Sequence, residues 1–175
     1  MPCNIEIKAR IASVPALLPY AAALAGQGPT VIAQDDTFFR CAHGRLKLRT
    51  FADGSGELIF YRRADQAGPK TSHYLRTPTA APEALRETLA QACGVLGRVV
   101  KQRLLFLVGR TRIHLDEVQG LGAFVELEVV LRDGEPAAAG VAEAEALMAG
   151  LGIAPADLVD GAYLDLLGAG VAAQD

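Results

Sequence analysis

The chain has 175 residues, 51% of them hydrophobic and 21% charged. That balance excludes a disordered chain, and the length suffices to bury a core without disulfide or zinc staples. The formal net charge of −3, from 17 Lys and Arg against 20 Asp and Glu, taken alone excludes a basic nucleic-acid binder. The charge is unevenly spread, however. Residues 133–175 carry eight acids and no Lys or Arg, so residues 1–132 hold all 17 bases with 12 acids, a surplus of five positive charges.

In chain order, Cys3 to Ile11 alternates with period two and reads as a strand. Ser13 is placed to cap a helix through Leu24, with Pro15 in its first turn. Strands follow at Thr30 to Arg40, Arg45 to Phe51 and Glu57 to Arg63, the last two joined by the hairpin composition Ala52-Asp53-Gly54-Ser55-Gly56. Ser72 to Thr77 is a short strand and Pro82 to Leu96 a helix with Leu85, Leu89 and Ala92 on one face. Arg98 to Val108 and Arg110 to Val118 form a hairpin about Gly109, and Ala123 to Leu131 is the eighth strand. Helices are expected at Pro136 to Gly150 and Pro155 to Leu167. Short connections between successive strands predict antiparallel pairing, so the fold class is α+β, and eight such strands suffice for a closed β-barrel. A single domain over residues 1–175 is expected.

Cys3, Cys41 and Cys93 have no C-x-x-C spacing and read as incidental thiols of a reduced, cytoplasmic protein. The opening residues show neither a charged leader nor an apolar signal core. The uncharged stretch Ile11 to Gln34 is broken by Pro and Gly, so no transmembrane helix and no membrane partner is expected.

Residues at i, i+2 and i+4 of a strand share a face. Sorted on that rule, Asn4, Glu6, Lys8 and Arg10 lie together, as do Arg45, Lys47 and Arg49, then Lys101 and Arg103. Arg110, Arg112, His114 and Asp116 share a face, as do Glu126 and Glu128. Each set lies opposite an apolar face. Helices outside a closed barrel would cover the apolar faces and leave the charged ones inside. Buried bases cost several kcal/mol each unless paired, so such a lumen implies a highly charged anion and a cation. Carboxylates at i and i+2 can converge on a hard cation, while Arg and Lys from several strands surround phosphate oxygens.

These residues resemble the CYTH superfamily, the triphosphate tunnel metalloenzymes, which includes class IV adenylyl cyclases, thiamine triphosphatases and inorganic triphosphatases. The family's E-x-E-x-K signature is similar to Asn4-Ile5-Glu6-Ile7-Lys8, and its Q-x-D-x-Y-F element to Gln34-Asp35-Asp36-Thr37-Phe38-Phe39. Its basic third strand resembles Leu46-Lys47-Leu48-Arg49, its next lysine falls on Arg62, and its K-x-R element on Lys101-Gln102-Arg103. Arg110 to Asp116, Phe124 to Glu128 and the closing Ala162-Tyr163-Leu164-Asp165-Leu166-Leu167 continue the likeness over nearly the whole chain.

The resemblance implies an eight-stranded antiparallel tunnel that binds a triphosphate with Mg2+ or Mn2+. It implies metal ligation by Glu6, Glu126 and Glu128, with Asp116 added. It implies triphosphate binding by Lys8, Arg49, Arg62, Lys101, Arg103 and Arg112; Lys47 joins them by parity. Glu6, Lys8, Arg49, Lys101 and Arg103 are expected at the chemistry itself. His114 reads as a lumen hydrogen-bonding group rather than a ligand, and Lys70, in Gly68-Pro69-Lys70, as a solvent-exposed loop base.

One departure stands out: Asn4 occupies the place of the signature's first Glu. A neutral amide is a poorer hard-cation ligand, so metal affinity should fall or one metal site should be missing. Class IV cyclases carry further residues before the signature, including a His-Phe element, where this chain has three; this weighs against cyclisation more than against triphosphate binding. The expected function is metal-dependent hydrolysis of tripolyphosphate, thiamine triphosphate or ATP. The alternatives are a class IV-type adenylyl cyclase making cyclic AMP and pyrophosphate, and a non-catalytic polyphosphate or nucleotide binder. No nucleic-acid partner is expected, and the resemblance allows a homodimer.

Overall fold

Eight antiparallel strands close on themselves in the computed structural model, which describes residues 1–172. They are β1 (Cys3–Arg10), β2 (Gln27–Phe39), β3 (Arg45–Phe51), β4 (Gly56–Arg63), β5 (Lys70–Thr79), β6 (Val95–Val108), β7 (Thr111–Val118) and β8 (Gly122–Val130). Around the barrel the order is β1-β5-β4-β3-β2-β6-β7-β8, with β8 pairing back onto β1. Closure leaves no strand edge unpaired.

Helices α1 (Val14–Leu24), α2 (Pro82–Cys93), α3 (Ala137–Gly150) and α4 (Tyr163–Ala172) lie outside the wall or across one end. Ser13 caps α1 as its sequence predicts, its Oγ accepting from Ala16 N at 3.3 Å. The outward faces of β1, β7 and β8 (Ile5, Ile7, Ile113, Leu115, Val125, Leu127) form one buried apolar cluster with Ala21 of α1 and Ala144 of α3. Helices cover the apolar faces, so the alternate residues point into the barrel. No helix among the described residues is long and apolar enough to cross a membrane.

Two expected helix boundaries are corrected. The second helix ends at Cys93 because Gly94 takes φ +77°, and Val95 and Leu96 already belong to β6. The expected helix from Pro155 to Leu167 is instead a single 3-10 turn at Pro155–Asp157, an extended stretch and then α4. The extended stretch is held against β1: Leu158 bridges Ala9, and Val159 N donates to Lys8 O at 2.9 Å. Gly161 follows with φ +70°, and the Asp165 carboxylate accepts from Ala162 N at 2.7 Å to start α4.

That turn sends α4 across one end of the barrel. The inward residues there, Phe38, Val99, Val118 and Phe124, pack with Tyr163, Leu164, Leu166 and Leu167 as a second apolar cluster. The Phe124 and Tyr163 rings meet edge to face at 5.0 Å. One end of the lumen is thus stoppered.

Candidate active site

The lumen is a cavity of about 270 Å³ lined from all eight strands. Above the stopper its wall is ionic. Asp36 of β2 accepts from Arg49 Nε and Nη2 at 2.7 and 2.8 Å and from Lys47 Nζ at 2.7 Å, because the β2–β3 register sets Asp36 opposite Arg49. Asp116 of β7, wholly buried, accepts two bonds of 2.6 Å from Arg103, one of 3.2 Å from Lys101 and one of 2.9 Å from the Tyr163 hydroxyl. Glu126 of β8 accepts from Arg103 at 2.7 Å and pairs with Lys8 at 3.4 Å. Arg112 donates to Glu128 at 3.2 Å.

These ion pairs fix the protonation states. Burial pushes the Asp36 and Asp116 carboxyls up, but Arg49 with Lys47, and Arg103 with Lys101, outweigh it and hold both well below the usual carboxylate range. Glu126 is held well below its ordinary value in the same way, chiefly by Lys8 against the effect of burial. Burial lowers Lys8 and Lys101, and brings Lys47 down to about 7. The barrel therefore holds a rigid array of oriented donors, each base kept in place by a carboxylate.

One group has no such partner. His114 of β7 is 4% exposed, and its Nδ1 is buried without a hydrogen bond. Burial lowers its pKa, so the ring is neutral near pH 7. Nδ1 stands 3.8 Å from Glu126 Oε2 and 3.9 Å from Glu128 Oε1. One donor atom from each of these three residues can be chosen so that all lie within 4.8 Å of one another. An unpaired imidazole nitrogen between two ionised carboxylates is a donor set that fits a divalent cation.

The structure brings most of the sequence-predicted residues together: Glu6, Lys8, Lys47, Arg49, Lys101, Arg103, Arg112, Glu126 and Glu128 all line the cavity. It moves four others. Arg62 faces outward and is exposed; the lumen guanidinium on β4 is Arg63, because the β3–β4 register pairs Lys47 with Ile59 and so turns Ile59, Tyr61 and Arg63 inward. Asp116 accepts from Arg103, Lys101 and Tyr163 and lies outside the group of donor atoms that could hold a cation, whereas His114 lies within it. Lys70 is 2% exposed, at the start of β5 opposite Glu6, and donates to Gln66 O at 2.9 Å. Asp36 and Tyr163 appear in the sequence only as motif residues with no assigned role, and Arg63 as no motif residue at all; parity along Gln34-Asp35-Asp36 holds the signal for the first.

At the open end the wall turns apolar on one side, with Ile32, Phe51 and Leu105, while Tyr74 and Arg76 line the other. Arg76 is held there by Glu57.

Among known proteins, the CYTH domain family matches residues 3–163. No curated protein matches the sequence. Solved structures similar to this chain include the PH1012 protein of Pyrococcus horikoshii, with TM-score 0.83 and 19% identity over 94% of this chain and 99% of that one. A candidate adenylate cyclase from Vibrio parahaemolyticus superposes with TM-score 0.72 and 21% identity over 94% and 97% of the two chains. A candidate adenylyl cyclase from Hippeastrum with a dominant triphosphatase activity gives TM-score 0.67 and 19% identity over 95% and 96%.

Proposed function

The chain belongs to the CYTH family, and from that premise we propose that it hydrolyses a triphosphate inside the barrel with the aid of a divalent metal ion, Mg2+ or Mn2+. The observation that carries this reading is the lumen itself. Lys and Arg from six of its strands, buried or half-buried except for Arg76, converge on one cavity beside a neutral His whose unpaired Nδ1 faces two carboxylates.

Phosphoryl transfer passes through a loose transition state with charge spread over the phosphoryl oxygens, so catalysis is mostly positioning and electrostatic stabilisation. In this reading Lys8, Lys47, Arg49, Lys101, Arg103 and Arg112 donate to the phosphate oxygens. Their carboxylate partners hold them ready, so little reorganisation is needed when the anion arrives. Asp116 positions Arg103 and Lys101 and touches no substrate. Glu6 orients the attacking water. A divalent cation held by His114, Glu126 and Glu128 would polarise phosphoryl oxygens and neutralise charge. The Tyr163 stopper excludes water from the far end.

The test is phosphate release from tripolyphosphate, thiamine triphosphate and ATP, each with Mg2+ and with Mn2+. Glu126→Gln is expected to abolish metal-dependent release, on the order of a hundredfold or more; release unaffected by that change overturns the reading. The apolar flank of the mouth, Ile32, Phe51 and Leu105, favours a second reading in which ATP is cyclised. Product identification separates the two: ADP with phosphate, or cyclic AMP with pyrophosphate. Tight binding without turnover of any of the three would mark a non-catalytic binder.

A further inference from the structure

Asn4 and Glu6 lie two residues apart on β1 and both face the lumen, yet the Glu6 carboxylate does not join the group formed by His114, Glu126 and Glu128. Like Glu126 and Glu128, which meet Arg103 and Arg112, Glu6 is engaged by a guanidinium. Its Oε2 accepts from Arg63 Nη1 at 2.9 Å, and Arg63 Nη2 donates to the Gly161 carbonyl at 2.7 Å. The Arg63 side chain is only 3% exposed. A guanidinium cannot shed its charge, and here it is tied both to β1 and to the segment that leads into the stopper helix. Lys8 donates to the same Gly161 carbonyl at 3.3 Å, and Lys70 pairs with Glu6 in the β1–β5 register. Arg63, Lys8 and Lys70 thus meet Glu6 on one side, while Glu128 lies opposite it in the β1–β8 register. Asn4 adds no further carboxylate here, and its Oδ1 is buried without a partner.

A hard divalent cation needs several oxygen donors, with carboxylates supplying most of the binding. Among the described residues, one group of His and carboxylate side chains lies close enough together to share an ion, and there His114 Nδ1 adds the unpaired nitrogen. Resting on the reading of the lumen as a metal-dependent triphosphate site, we propose that this chain takes one divalent cation, at His114, Glu126 and Glu128, and that Arg63 serves as a fixed organic cation at Glu6 in the place of a second ion. The imidazole donor further sets this site's preference toward Mn2+ over Mg2+. Arg63 would then supply a permanent charge at Glu6, and the cation an exchangeable one at Glu126 and Glu128.

The experiment is titration of the metal-free chain with Mn2+, the free ion being counted by its electron paramagnetic resonance signal. The wild type is expected to bind one ion per chain, and Glu128→Gln to lose it. Asn4→Glu alone is expected to remain at one ion, because Arg63 still occupies Glu6. Asn4→Glu combined with Arg63→Gln is expected to bind two, with spin-coupled broadening of the bound signal. Circular dichroism confirms that each variant is folded, and Arg63→Gln alone, expected to gain a weaker second ion, serves if the double variant is not. Two ions in the wild type overturn the proposal, as does a single ion in the folded double variant; in both cases the metal-dependent reading stands. No Mn2+ bound to the wild type overturns that reading itself. Mg2+ displacing Mn2+ at equal concentration overturns the metal preference.

Discussion

Lys47 carries the clearest residue-scale consequence. Its amine has an ordinary pKa of 10.5 and sits at about 7 in the lumen, because it is buried and lies beside Arg49 and Lys101. Between those two values the folded chain holds Lys47 neutral while the unfolded chain holds it charged, so the unfolded state binds the extra proton. Stability from this group therefore rises with pH across that window. A polyphosphate reverses the bias, since it favours the charged amine. At a pH between the two values, tripolyphosphate binding should take up about one proton per ligand, read by calorimetry in buffers of different ionisation enthalpy. Lys47→Met should remove that uptake. Neighbouring bases are distinguished by direction rather than type. Arg49→Ala should weaken tripolyphosphate binding about ten- to hundredfold by removing a charge-assisted donor. Arg62→Ala, on the outward face of the same hairpin, should leave affinity unchanged in the same titration.

At the scale of elements, periodicity carried most of the information. β1, β3, β6, β7 and β8 each have one charged and one apolar face, so their lumen residues could be read directly from the sequence. β4 has no such alternation: Leu58, Phe60 and Arg62 oppose Ile59, Tyr61 and Arg63, and both faces look alike. Only its pairing with β3 decides which arginine points inward, and pairing is not visible in one segment alone. The same limit hid the break before α4, where contact with β1 overrides an otherwise helical composition. His114 was placed on the correct face, but its missing partner depends on where Glu126 and Glu128 lie on the next strand. Helix α3 depends on a close approach: a Cβ at Gly140 would meet Leu131 Cδ2 at 2.6 Å and Ile5 Cγ1 at 2.7 Å. Gly140→Val should lift α3 from β1 and β8 and destabilise the chain by about 1–3 kcal/mol, measured by urea unfolding.

For the whole molecule, the net charge of −3 is an average over unlike parts. The acids from Asp133 to Asp165 lie in and around α3 and α4, outside the lumen, while the surplus of bases is largely turned inward. An empty lumen of this kind stores unfavourable charge, and an anion that fills it is linked to folding. Tripolyphosphate at a hundred times its Kd should add about 2.7 kcal/mol, which for a chain of this size raises Tm by roughly 5–10 °C, followed by calorimetric scanning. High salt should shrink that rise by screening the encounter. The stopper of Tyr163, Leu164, Leu166 and Leu167 makes the barrel a well with one doorway. Traffic through it is single file. If the lumen takes a triphosphate as proposed, that ligand enters phosphate end first and backs out the same way, so a spent product still in the shaft bars the next arrival. A long polyphosphate would then be open to attack only from its end, since it could not thread through to be cut in its middle.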